Sequence, residues 1–133
     1  MQRHISADKA ENEWSVMYLS IKKEFVELEF FSDVKKRPGV YFGCPSLLSL
    51  RDLLTGMDIA FRFEHTESPL KLFHSFVIWY HEEKLADQDT YACWWNHILY
   101  ISGNDGRYAF ERFFAIFERY LHDVHHVSLP ILE

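Results

Sequence analysis

Three imidazoles within five positions, His122-Asp123-Val124-His125-His126, form the densest group of potential metal ligands in the chain. Imidazole is a common ligand for zinc and other transition metals, so this spacing makes a site conceivable. A closed site, however, needs four ligands and outer support. This run instead falls at the end of a helical pattern, where positive side chains meet the dipole favourably. The structural reading is preferred, and no metal is expected.

Nucleophilic chemistry would need a thiol beside a base. Cys93 and His97 stand one helical turn apart, but no motif surrounds either residue and nothing suggests an oxyanion hole. Neither Cys93 nor the distant Cys44 belongs to a Cys-x-x-Cys pair, so both read as small buried hydrophobes, reduced in a cytosolic protein. Glu82-Glu83 and Asp87 with Asp89 could be imagined as an acid–base pair, yet nothing fixes the separation such a pair requires. Glycine-rich phosphate loops, His-Glu-x-x-His and Gly-x-Ser-x-Gly are all missing from the sequence. No catalytic residue and no cofactor is expected, and the chain reads as something other than an enzyme.

Charge is the more informative feature. Lys and Arg number 14 against 20 Asp and Glu, a formal charge of -6. That balance repels phosphate backbones and anionic membranes, and the short run Lys35-Lys36-Arg37 does not offset it, so neither nucleic acid nor membrane is an expected partner. Six of the acids, Glu64, Glu67, Glu82, Glu83, Asp87 and Asp89, fall in one stretch with only Lys71 and Lys84 to oppose them. If the connections at either end of the intervening helix fold to one side, these carboxylates make a face that steers a basic protein. A solvated surface without a partner is the bland alternative. Trp94-Trp95 could add an aromatic anchor, because adjacent helical residues diverge by about 100° and at most one of them faces a core.

The elements that must position these groups are helices. Trp14, Met17, Tyr18, Ile21, Phe25 and Leu28 recur at helical spacing between Asp8 and Phe31, with Glu24 and Glu27 off that face. Ser32 to Pro45 reads as a connection with a few extended residues at Val40-Tyr41-Phe42. Ser46 caps a second helix carrying Leu50, Leu53, Leu54, Met57 and Phe61, and its Gly56 implies a close neighbour or a bend. Ser68-Pro69 opens a third helix, with Leu72, Phe73, Phe76, Val77 and Tyr80 inward, ending near Lys84. Residues 91–101 satisfy helical spacing, although Ile98-Leu99-Tyr100-Ile101 could equally be a buried strand. The scarcity of β-branched residues and the lack of a second strand favour helix. After the turn Gly103-Asn104-Asp105-Gly106, a last helix from Arg107 carries Phe110, Phe113, Phe114, Phe117 and Leu121, and the tail beyond Asp123 packs loosely. With 12 Phe, seven Tyr and four Trp, the chain can fill a core of its own. The expected fold is all-α: a single domain over residues 1–133, built as a bundle of about five helices. The start lacks the apolar run of a secretory signal and no stretch suits a membrane span, so a cytoplasmic location is expected.

Several of these residues also carry a resemblance. Arg37-Pro38-Gly39-Val40-Tyr41-Phe42-Gly43 is followed by Ser46-Leu47-x-x-Leu50, then Gly56 and Ala60. Phe76-x-x-Trp79, Trp94 or Trp95 with Ile98, Gly103-x-Asp105 and Ala109-Phe110-x-x-Phe113-Phe114 come later in order. From Lys36 to Tyr120 the chain resembles bacterial immunity proteins encoded beside polymorphic or contact-dependent growth inhibition toxins. The resemblance implies a protein that neutralises a cognate toxin by direct stoichiometric binding, and it carries over no individual binding residue. Cys44 and Met57 depart from its pattern. A helical interaction or regulatory module that self-associates, or binds another bacterial protein, is the alternative.

Overall fold

A computed structural model describes residues 26–86 and 93–132, and every regular element among them is helical. Asp8 to Phe25, the greater part of the first expected helix, lies outside the described residues. Its remainder forms α1, residues 26–36, which runs past the expected end at Phe31. Leu28, Phe31 and Val34 recur every three residues and all reach the core, which carries the helix through Ser32 and Asp33. Arg37 closes it by pairing with Asp33, and the Arg37 amide donates to the Asp33 carbonyl at 2.8 Å.

The next residues are not extended as expected. Pro38, suited to the first turn because it has no donor to lose, opens α2, Pro38–Tyr41, and extended geometry begins only at Phe42. The Tyr41 hydroxyl donates to the Asp33 carboxylate, which holds that carboxyl below its usual pKa together with Arg37.

Helix α3 is Leu47–Phe63, α4 Lys71–Lys84, α5 Trp94–Ile101 and α6 Gly106–Tyr120. Residues 94–101 are thus helix, the favoured one of the two readings. Leu47, Leu50 and Leu54 bury the first half of α3, whereas its far end leaves the core and exposes Phe63 at 80%. Among the described residues nothing lies within 4 Å of a Cβ built at Gly56, so none of them packs closely against it. The close approach occurs at Gly106: a Cβ there would sit 2.9 Å from Ser46 Oγ, so the start of α6 is set against the start of α3. Asp105 caps α6 by accepting the Arg107 and Tyr108 amides at 3.0 Å each.

The third expected helix begins later than Ser68-Pro69 suggests. Ser68 Oγ accepts the Leu70 amide and donates to Asp58 Oδ1 at 2.5 Å, leaving α4 to start at Lys71 without a side-chain cap of its own. Its cap comes from α1: Glu27, only 2% exposed, accepts the amides of Leu72 and Phe73 at 2.9 Å each. Glu27 was expected on the polar side of the first helix; instead its carboxylate satisfies two donors that α4 would otherwise bury unpaired.

The phenylalanines of α6 line the core. Phe76 on α4 meets Phe113, Phe117 and Tyr120 edge-on, with centroids at 5.7, 5.2 and 5.5 Å, and Phe31 lies 4.8 Å from Phe117. Past Tyr120 the helix widens into a π-helical turn, Leu121–His125, that ends at left-handed His126. The tail then returns to α1 in place of the loose packing expected. Val127 and Leu129 pack on the core, Ser32 Oγ donates to the Pro130 carbonyl, and Lys36 Nζ donates to that of Leu132. No described helix is long and apolar enough to cross a membrane.

Candidate functional site

The inward face of α4 is spent on Leu72, Phe73, Phe76 and Tyr80, so its other residues must meet water or a partner. At the middle of that outer face stands Ile78, 60% exposed. Beside it a groove of about 370 Å³ runs between α3, α4 and α5, with Arg51, Asp58, His74, Val77 and Trp95 along its walls.

The two tryptophans divide as helical geometry requires. Trp94 enters the core, edge-on to Phe73 at 5.3 Å, while Trp95 is half-buried in the groove wall. The Arg51 guanidinium covers the Trp95 ring at 4.4 Å from its centroid and also pairs with Asp52 at 2.9 Å. Asp58 joins two elements: it accepts from Ser68 Oγ through one oxygen and lies 2.8 Å from His74 Nε2 through the other. These contacts fix one wall of the groove before any partner arrives, which lowers the ordering cost of binding.

The acids singled out in the sequence are split. Glu64 caps α3 and Glu67 precedes α4, paired with Lys71 at 3.2 Å, while Glu82 and Glu83 lie in the last turn of α4. All four are exposed. The helix rise puts roughly 17 Å of axis between Lys71 and Glu82, so Glu67 and the Glu82-Glu83 pair stand at opposite ends of α4, outside the lining of the groove. Asp87 and Asp89 lie outside the described residues.

The other candidate groups are dispersed. His125 Nε2 is bonded to Tyr120 Oη at 2.7 Å, and that hydroxyl also meets Ser75 Oγ at 2.5 Å. His122 pairs with Asp123 at 3.0 Å, and no three ligating side chains converge among the described residues. His97 turns its Nδ1 to Tyr80 Oη at 2.6 Å and meets Cys93 only through a backbone bond. Cys93 is half-buried, and Cys44 is exposed where a buried residue was expected.

The chain matches no protein-family model, no curated protein and no solved structure.

Sequence reasoning missed Arg51, Asp58 and His74. Arg51, Thr55 and Asp58 follow one another at spacings of four and three, a polar stripe beside the buried leucines of α3. That stripe was a usable signal for a wall of mixed character. The partner on α4, His74, becomes visible only once the two helices are side by side.

Proposed function

We propose that this protein works by covering another protein's surface, as a bacterial immunity protein does, in the cytoplasm of the cell that makes it and without chemistry of its own. The observation that carries the reading is the pre-formed groove lined by exposed Ile78 and Arg51-stacked Trp95. An apolar, aromatic centre inside a polar rim is the usual layout of a protein-binding patch. Its occupant is a basic protein domain, because exposed Glu67 and the exposed Glu82-Glu83 pair stand at the two ends of the helix that walls the groove, in a chain of net charge -6. The terminal carboxylates would speed encounter, and the apolar centre would set residence time.

Co-expression with the toxin domain encoded beside this gene tests the reading. Growth should be rescued, and a one-to-one complex should survive gel filtration. Ile78→Glu should abolish the rescue while the monomer keeps its helicity. Reversing Glu64, Glu67, Glu82 and Glu83 should lower the association rate and flatten its salt dependence. If Ile78→Glu still neutralises the toxin, the groove is not the contact surface. A homodimer that dissolves on Ile78→Glu would move the reading to self-association.

A further inference from the structure

A second cleft, of about 410 Å³, opens between α4, α5 and α6 and differs in kind from the docking groove. Arg112, Ile116 and Arg119 sit at spacings of four and three on one side of α6, and Lys84 comes from the last turn of α4. Trp79 and Ile101 supply apolar wall, and among the described residues no carboxylate lines the cleft.

Elsewhere in the described chain, Lys35, Arg37, Arg51 and Lys71 each pair with an acid. Among the described residues, Lys84, Arg112 and Arg119 have no carboxylate within ion-pair distance. Three unneutralised cations around one concavity repel each other, and an anion between them removes that repulsion. Arg112 is also held in place: Nη1 donates to the Ile101 carbonyl at 3.0 Å, and the guanidinium lies 5.8 Å from the Tyr108 ring centroid.

Neutral polar groups complete the floor. Burial pushes the Tyr80 hydroxyl up to about 12, so it keeps its proton, and its oxygen is hydrogen-bonded to His97 Nδ1 at 2.6 Å. His97 stays neutral more readily than usual, through burial and then through Lys84.

We propose that this cleft binds a small phosphate monoester bearing an apolar ring, with the dianionic head between Arg112, Arg119 and Lys84 and the ring against Trp79. Two guanidiniums offer the paired donors that phosphate oxygens accept, and Lys84 adds a point charge. A carboxylate brings two oxygens and one charge to the three cations, whereas a phosphate monoester dianion brings three oxygens and two charges. The lining holds both halves of the ligand: charge at Lys84, Arg112 and Arg119, and flat apolar area at Trp79.

Calorimetric titration of the full chain at low salt, with phenyl phosphate, AMP, inorganic phosphate and phenol as separate probes, tests this. At least one of the two ring-bearing monoesters should bind about tenfold more tightly than inorganic phosphate, with phenol silent. Arg119→Gln and Lys84→Gln, both at exposed positions, should each weaken that binding several-fold, and Trp79→Ala should erase the advantage over inorganic phosphate. Trp95→Ala, in the other groove, should change nothing. The proposal fails if neither monoester outbinds inorganic phosphate, or if the two cation variants bind as well as the parent. These readouts involve no protein partner, so they stand apart from the docking proposal.

Discussion

Removing the Glu27 carboxylate should cost more than any exposed glutamate can. Its two oxygens accept the Leu72 and Phe73 amides at 2.9 Å in a buried setting, and no side chain of α4 replaces them. Hydrogen bonds to an ionised group contribute about 1.5–3 kcal/mol each, partly offset by the cost of burying the charge. Loss of a helix cap alone costs about 1–2 kcal/mol. Glu27→Ala should therefore lower stability by about 2–4 kcal/mol, and Glu27→Gln, which keeps one acceptor, by less. Urea unfolding followed by far-UV circular dichroism would measure both against Glu83→Ala as an exposed control. The expected loss corresponds to a fall of roughly 10 °C in Tm for a chain of this size. A Glu27→Ala variant within about 0.5 kcal/mol of the control would refute the cap and leave the start of α4 to water.

Two further outcomes follow from local geometry. Gly106→Ala should gain less stability than a helical glycine-to-alanine change usually gives, because its Cβ would meet Ser46 Oγ at 2.9 Å, and the gain should be larger in a Ser46→Ala background. A coupling below about 0.3 kcal/mol between the two changes in a double-mutant cycle would contradict the contact. His97, whose pKa is lowered by burial and by Lys84, should make stability depend on pH. Its contribution is full above the ordinary value of 6.5 and declines as pH falls through the depressed folded value, because the unfolded chain takes up the proton first. The difference in Tm between parent and His97→Asn should follow that course in a thermal scan series, and a difference flat across the acidic limb would remove His97 as its source.

The helices legible in the sequence were those whose apolar residues repeat at three and four: Leu47, Leu50 and Leu54 on α3, Phe73, Phe76 and Tyr80 on α4, and the phenylalanines of α6. The end of α1 was misjudged because Ser32-Asp33 looks like a stop, although Val34 continues the spacing of Leu28 and Phe31 into the core. Ser68 looked like a cap because its type suits one, but Asp58 on another helix takes its hydroxyl. Glu27 could not be read at all: a lone glutamate on a helix normally faces water, and the amides it serves lie 45 and 46 positions away. Site legibility follows the same division. The acids at the ends of α4 show in composition alone, while the Asp58–His74 and Arg51–Trp95 contacts depend on how helices cross.

The stitching of α1 to the tail bears on how the chain matures. Ser32 finds its acceptor 98 positions onward, and Lys36 finds its own 96 onward. Contacts of that span close late, since the entropy of a long loop must be overcome before they form. During synthesis α1 can dock on α4 through Glu27 and on α6 through Phe31 before residues 130–132 close over it. The tail is thus a latch on a helix already seated, so removing those residues should raise the opening of α1 and its exposure to proteases before it alters the shape of the finished protein.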